Sequence, residues 1–120
     1  MWNLLFIEDE PVLRLTCVEA AKACGHAARA APNAHDALQM FREQKPDAIL
    51  TDVLMPGMDG IELVGIMRRS DPNLLIVVLT GLATEDSRQR ALRAGATRFL
   101  VKPVSAFDLI ALLERTLGQP

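Results

Sequence analysis

The chain has 120 residues, of which 50% are hydrophobic and 23% charged, which is typical of one globular domain and excludes a disordered chain. Its 13 basic and 15 acidic residues give a formal charge of −2, and its aromatic residues are one Trp and four Phe. With no basic excess and few aromatic side chains for stacking, the composition argues against direct binding of nucleic acid.

The chain also lacks the marks of membrane insertion and export. Its longest apolar run, residues 74–79, is far too short to span a membrane, and residues 1–7 do not resemble a secretory signal. Cys17 and Cys24 are therefore expected to be reduced thiols of a cytoplasmic protein. On one helix their Cα atoms would lie about 10 Å apart, too far for a disulfide, so we interpret both as small core residues.

Five segments are predicted to be β-strands. Four of them are continuous or nearly continuous apolar runs, the pattern of strands buried on both faces of a parallel sheet. The segment at residues 27–30 is weak by itself and is inferred from its place in the pattern. In chain order, the predicted strands cover residues 4–7, 27–30, 48–51, 74–80 and 98–101.

Helix signals fill the intervals between these strands: side chains that cap a helix start, a proline in a first turn, and glycines after helix ends. In chain order, helices are predicted over residues 11–23, from Asn33 or His35 to about Gln44, over residues 60–69, from an N-cap at Thr84 to Gly95, and from an N-cap at Ser105 to about Leu117.

The alternation of strand and helix predicts an α/β fold. The predicted fold is a flavodoxin-like, doubly wound (βα)5 domain, with a parallel five-stranded sheet in the order 2-1-3-4-5. No internal repeat, linker or low-complexity segment is visible in the sequence. We therefore expect residues 1–120 to form one domain, with no output domain in this chain.

Polar side chains follow the predicted strands at the edge where such sheets bind ligands. Glu8 and Asp9 follow the first strand, Asp52 follows the third, Thr80 ends the fourth and Lys102 follows the fifth. Clustered carboxylates repel one another unless they are protonated or bind a cation, and oxygen ligands suit Mg²⁺. The sequence therefore predicts a magnesium site at this edge, with open positions for phosphate oxygens.

The same residues are suited to phosphoryl chemistry. Asp52 fits the role of nucleophile, because carboxylates accept phosphoryl groups to form acyl phosphates. Lys102 offers a positive charge on a flexible stem and Thr80 offers a hydroxyl, each suited to one phosphoryl oxygen. Catalysis at such a site consists of positioning and charge neutralisation.

Taken together, these elements resemble the receiver domain of two-component response regulators, and the likeness covers essentially the whole chain. The matching elements are Glu8-Asp9, the segment TDVLMPGMDG at residues 51–60, Thr80-Gly81, Phe99 and Lys102-Pro103. Each element alone is weak, but their order at matching strand ends is highly specific.

The resemblance implies a set of residue roles around a phosphorylated aspartate. Asp52 would be the phosphoacceptor. Asp9, Asp52 and the carbonyl of Leu54 would bind Mg²⁺ directly, and Glu8 would help through water. We treat this ligand set as an expectation that the resemblance supplies.

The resemblance also implies how phosphorylation is read. Thr80 and Lys102 would contact the phosphoryl group, and Phe99 would change rotamer together with Thr80. The Lys102–Pro103 bond is expected to be cis, which would aim the lysine. The phosphodonor would be a sensor histidine kinase or a histidine phosphotransfer protein, and the output would be a downstream protein partner or a homodimer.

Three positions depart from the family pattern. Leu54 and Leu82 stand where the family often has polar side chains that position the hydrolytic water, so we expect slow self-dephosphorylation. Phe99 stands where the family often has Tyr, so it can change rotamer but cannot donate a hydroxyl hydrogen bond.

Other functions remain as alternatives at this point. A phosphohydrolase of the haloacid-dehalogenase type needs a second Asp two places after the nucleophile, where this chain has Leu54. A flavodoxin-like mononucleotide binder needs small residues after the first strand, where this chain has acidic ones. The chain is either a complete stand-alone regulator or a receiver fragment of a longer, DNA-binding regulator.

A few further residues have interpretations that matter below. Gly57 and Gly60 are predicted to occupy turns with positive φ. His26 and His35 are predicted to be surface or partly buried residues without a metal role. A group of arginines is either a solvated face or a partner surface, namely Arg88, Arg90, Arg93 and Arg98.

Overall fold

Five strands alternate with five helices in the computed structural model, which describes residues 1–53 and 57–118. The strands are β1 (Asn3–Ile7), β2 (Ala27–Ala31), β3 (Ala48–Thr51), β4 (Leu75–Thr80) and β5 (Arg98–Val101). The helices are α1 (Pro11–Ala23), α2 (Ala34–Glu43), α3 (Gly60–Ser70), α4 (Glu85–Ala94) and α5 (Ala106–Leu117). Every predicted element is present, and the bounds differ by at most one residue at either end.

The strands pair in parallel in the order β2-β1-β3-β4-β5, which confirms the predicted doubly wound sheet. Ile7 pairs with Thr51, and Thr51 pairs with Val78. This register brings the last residues of β1 and β3 side by side. The residues that follow them, Glu8 and Asp52, therefore leave the sheet at the same edge.

Two hydrophobic clusters cover the two faces of the sheet. Alternate residues of β1 divide between them, with Leu5 and Ile7 in one cluster and Leu4 and Phe6 in the other. The first cluster includes buried residues of α2 and α3, and the second includes those of α1 and α5. Because every central strand is buried on both faces, its sequence is a continuous apolar run.

Side-chain caps fix the starts of four helices, and in α3 the cap is Asp59, whose side chain accepts the Ile61 N–H at 2.8 Å. Asn33 caps α2, since its side chain accepts the Asp36 N–H at 2.8 Å, which decides between the two predicted starts. Thr84 caps α4 in a capping box with Ser87, in which each side-chain oxygen accepts the other residue's backbone N–H at 3.0 Å. Ser105 caps α5 as predicted.

The two edge strands each contain one arginine. Arg29 of β2 donates to the carbonyls of Met40 and Gln44, at 2.9 and 2.7 Å, and so satisfies the end of α2. Arg98, the first residue of β5, is exposed. The remaining residues of β2 are all alanine, which explains why its sequence signal was weak.

Two predictions about individual side chains are wrong. Cys17 is buried and both thiols are free, as expected, but Cys24 is exposed because it follows the last turn of α1 as its C-cap. His26 is buried: its Nδ1 accepts the Trp2 N–H at 3.1 Å, and its Nε2 lies 2.8 Å from a carboxylate oxygen of Glu114. His35 is exposed, as predicted.

The prediction of positive φ is confirmed at Gly57 and wrong at Gly60. Gly57 has φ +86°, whereas Gly60 begins α3 with an ordinary backbone conformation. A Cβ atom at Gly60 would collide with the backbone carbonyl oxygen of Asp52 and would lie 2.9 Å from the Cα of Val53. Gly60 is therefore required by the close approach of α3 to the loop that follows β3.

A pair of glycine substitutions in α3 tests this close packing. Gly60→Ala should lower the free energy of unfolding by about 1–3 kcal/mol, because the backbone must shift to admit the methyl group. Gly65→Ala in the same helix should raise it by about 0.5–1 kcal/mol, because a Cβ there meets only the tip of Arg69 at 3.5 Å. Urea denaturation of both variants measures these changes. Equal effects of the two substitutions would contradict the packing argument.

Candidate functional site

Three of the predicted site residues come together at the carboxyl edge of the sheet. Glu8 directly follows β1, Asp52 directly follows β3, and Lys102 directly follows β5. The Lys102 Nζ lies 2.8 Å from Oδ2 of Asp52 and 3.2 Å from Oε2 of Glu8. One ammonium group therefore donates to carboxylates from two different strands.

This ion-pair cluster is largely removed from solvent. Glu8 and Asp52 are each 7% exposed, and the Lys102 side chain is 24% exposed. Two carboxylates that are buried side by side repel each other, and each also loses hydration. The Lys102 ammonium compensates both penalties, so it acts as an internal counter-ion.

The pKa values of the cluster reflect this competition. Burial raises the pKa of Glu8 above its ordinary 4.5, and the neighbouring Asp52 charge adds to this, although Lys102 lowers it in part. For Lys102, burial alone would lower the pKa, but hydrogen bonds and charges from Asp52 and Glu8 outweigh it and raise the pKa above 10.5. Lys102 therefore stays protonated at neutral pH.

Asp9 completes a set of oxygen ligands beside this cluster. Glu8, Asp9 and Asp52 each offer one carboxylate oxygen, and these oxygens lie within 4.8 Å of one another. The Asp9 side chain is exposed, whereas the other two are buried. All-oxygen ligands of this kind fit Mg²⁺, which also keeps several bound waters. Leu54, whose carbonyl was expected as a further ligand, lies outside the described residues.

Thr80 ends β4 at the same edge of the sheet, whereas Phe99 lies within β5, and both serve other contacts in this structure. Thr80 is fully buried at the end of β4, and its hydroxyl accepts the Leu82 N–H at 3.2 Å. Its carbonyl accepts the Lys102 N–H at 2.8 Å, which ties the end of β5 to β4. Phe99 is partly buried and packs against the cluster of α2 and α3. The Lys102–Pro103 bond is cis, as the resemblance implied.

Arg14 is a residue of this region that the sequence analysis missed. From the first turns of α1, its Nη1 donates to the carbonyl of Glu8 at 2.9 Å and to the carbonyl of Asp9 at 3.4 Å. The guanidinium group therefore contacts the backbone that carries two of the three carboxylates. A sequence signal existed, since an arginine one turn into a helix can reach back to the loop before it.

The predicted arginine group lies on α4 and β5. All four arginines of this group are exposed. Arg88 pairs with Glu85 at 3.4 Å, and Arg90 pairs with Asp59, the N-cap of α3, at 3.6 Å. Exposed pairs of this kind contribute little stability.

Fold and site together define a family. Residues 4–114 match the family described as the response regulator receiver domain. The chain belongs to this family, whose members are the receiver domains of two-component systems.

Curated relatives differ in how much of their length the chain spans. It is 36% identical over 115 residues to a 14.6 kDa protein of Leptolyngbya boryana, covering 94% of this chain and 88% of the relative. It is also 36% identical over 117 residues to the transcriptional regulatory protein AfsQ1 of Streptomyces coelicolor. That match covers 98% of this chain but only 52% of AfsQ1, so the chain spans about half the length of this regulator.

A solved structure agrees with the fold. A CheY-like response regulator receiver domain protein from Methanospirillum hungatei superposes with a TM-score of 0.93 and covers 97% of this chain and 93% of its own. At 23% identity, this likeness concerns the fold alone. Within residues 1–53 and 57–118, none of the helices has the length and apolar character needed to cross a bilayer.

The raised pKa of Glu8 predicts a pH-dependent gain in stability for Glu8→Gln. Above its folded-state pKa the ionised Glu8 costs stability, and below 4.5 the group is protonated in both folded and unfolded chains, so the cost disappears. Without divalent cations, Glu8→Gln should therefore unfold at a higher urea concentration than the wild type at neutral pH. The difference should shrink as the pH falls through the raised pKa towards 4.5.

Glu19→Gln is the matched control, because Glu19 is exposed on α1. It should leave the midpoint almost unchanged at both pH values. Added Mg²⁺ should stabilise the wild type more than Glu8→Gln, because the substitution removes one ligand charge. The stability difference between Glu8→Gln and the wild type should be larger at neutral pH than at about pH 4. The reverse order would contradict the assigned direction of the Glu8 pKa shift.

Proposed function

We propose that this receiver domain is a phosphoacceptor switch in a phosphorelay and that Asp52 accepts the phosphoryl group. The observation that carries the proposal is the 2.8 Å contact between Lys102 Nζ and Asp52 Oδ2, at the ligand-binding edge of a receiver fold. The acidic set of Glu8, Asp9 and Asp52 next to it supports the proposal further.

The transfer step is a displacement at phosphorus. A carboxylate oxygen of Asp52 attacks the phosphorus of a phosphohistidine, a P–O bond forms, and the P–N bond to the donor imidazole breaks. The imidazole nitrogen leaves with the electron pair. The product on this chain is an acyl phosphate. The donor is a sensor histidine kinase or a histidine phosphotransfer protein.

Each side chain of the site has a proposed role in this step. Asp9 and Asp52 would hold Mg²⁺ directly and Glu8 would assist through water. The resemblance adds the carbonyl of Leu54, which lies outside the described residues. A bound Mg²⁺ would neutralise charge on the phosphoryl oxygens. The Lys102 ammonium, which pairs with the carboxylates in the unmodified protein, pairs with a phosphoryl oxygen after transfer.

The readout is a change of surface around Thr80 and Phe99. The Thr80 hydroxyl, which accepts the Leu82 N–H in this structure, turns to a phosphoryl oxygen in the modified protein. Phe99 then adopts a different rotamer, and the equilibrium shifts towards a surface read by a downstream protein or by a second copy. The exposed arginines lie on α4, which follows the strand that ends at Thr80, and on β5, which contains Phe99.

A second version places the same switch inside a longer regulator. The chain spans about half the length of AfsQ1, whose name describes a transcriptional regulatory protein. In that version the phosphorylated domain acts on a DNA-binding segment of the same polypeptide. The phosphohydrolase alternative is disfavoured, because Leu54 stands where that chemistry needs a carboxylate.

Phosphorylation by a small donor tests the proposal directly. After incubation with acetyl phosphate and Mg²⁺, intact-protein mass spectrometry should detect one added phosphoryl group on the wild type. Asp52→Asn should gain none, and neither should the wild type in a chelator. Asp108→Asn is the control, because Asp108 is exposed in the first turn of α5, and it should be modified like the wild type. Modification of Asp52→Asn to the same extent would contradict the assignment of Asp52.

The lifetime of the acyl phosphate tests the roles of two leucines. Leu54→Asn combined with Leu82→Glu should shorten it, because polar side chains there position the attacking water. Leu82 is 64% exposed, so a carboxylate is accommodated without loss of packing. Decay is followed by intact mass after removal of the donor. Phe107→Glu, at another exposed apolar position, should leave the lifetime unchanged. An unchanged decay rate in the double variant would contradict this role.

A further inference from the structure

Arg14 braces the loop that carries the acidic ligands without pairing with them. Its Nη1 donates to the carbonyl oxygens of Glu8 and Asp9, at 2.9 and 3.4 Å. Among the residues that the structure describes, its guanidinium forms no ion pair with a carboxylate of this loop. The side chain therefore fixes two peptide groups and itself occupies none of the carboxylate oxygens of the loop.

The Glu8 end of this loop is also held by its N–H, which donates to the Ala31 carbonyl at 3.0 Å, and by its ion pair with Lys102, whereas Asp9 is exposed. α1 begins without a side-chain cap, since Glu10 at the N-cap makes no such hydrogen bond, and Pro11 has no N–H. The Glu10 N–H donates instead to a carboxylate oxygen of Glu8, at 3.3 Å. That contact competes with any cation that draws on the Glu8 carboxylate. The Arg14 bonds do not compete, because they use carbonyl oxygens.

We propose that Arg14 is a positioning residue for the cation site: through the carbonyls of Glu8 and Asp9 it holds the loop in the conformation that binds Mg²⁺. This inference rests on the proposed function, since it assigns a role in the same site. Outer contacts of this kind commonly change metal affinity by about 10- to 100-fold when they are removed.

The direction in which Mg²⁺ affinity changes when Arg14 is replaced distinguishes a positioning role from simple charge repulsion. A guanidinium near a divalent cation repels it, so removal of the charge alone would strengthen Mg²⁺ binding. Loss of the two backbone contacts would weaken binding, because the exposed Asp9 carboxylate would then sample many positions and must be ordered by the cation. The proposal predicts the second outcome.

The experiment is a Mg²⁺ titration of the full chain, followed by calorimetry. The Kd is measured a second time by NMR, from the chemical shifts of the backbone amides of the loop. Arg14→Met should raise the Kd about tenfold. Arg14→Lys keeps the charge but places its donor on a shorter side chain, and it should raise the Kd by a smaller factor. Lys22→Met is the matched control, because it removes one positive charge from the exposed end of the same helix. Its Kd should equal that of the wild type.

The Mg²⁺ dependence of the phosphorylation rate gives a second readout, which a merely structural role of Arg14 would not change. Phosphorylation of Arg14→Met by acetyl phosphate should be slow at low Mg²⁺ and should reach the wild-type rate at saturating Mg²⁺. An Arg14→Met Kd equal to or lower than that of the wild type would overturn the proposal. If Arg14→Met does not fold, an Arg14→Lys Kd equal to that of the wild type would overturn it. A wild type that binds no Mg²⁺ would overturn the proposed cation site as well, so the two failures are distinguishable.

Discussion

The Lys102 ammonium group, held between Glu8 and Asp52, is the interaction on which the rest of the site depends. Parallel pairing in register ends β1 and β3 side by side, so two carboxylates are forced into one partly dry crevice. Left alone they would repel each other and lose hydration. Lys102 reaches them from β5, two strands away from β3, because its N–H anchors the chain to the Thr80 carbonyl at the end of β4.

Close backbone contacts flank this arrangement on two sides. Gly60 lets α3 approach the carbonyl of Asp52, where any larger residue would collide. Arg14 holds the opposite loop by its carbonyls. The backbone segments that carry the acidic side chains are therefore also held by contacts that do not involve carboxylate oxygens.

The features that could be predicted from the sequence are those that depend on local residue patterns. Buried central strands read as apolar runs, caps such as Thr84 mark helix starts, and polar residues at strand ends predicted that Glu8, Asp52 and Lys102 would meet. The sequence could not predict contacts that depend on tertiary approach. The burial of His26 follows from an acceptor bond to the Trp2 N–H and a contact with Glu114 on a distant helix. The close approach at Gly60 likewise has no local signature.

The two edge strands have a consequence for self-association. An open sheet presents unpaired N–H and C=O groups at each edge, and these can template pairing with another chain. Here both edges are short, and each contains an arginine, Arg29 in β2 and Arg98 in β5. Charged side chains on short edges oppose edge-to-edge addition. Both edge strands are therefore protected against edge-to-edge aggregation, and the Glu8, Asp52 and Lys102 cluster lies elsewhere, where the strands end.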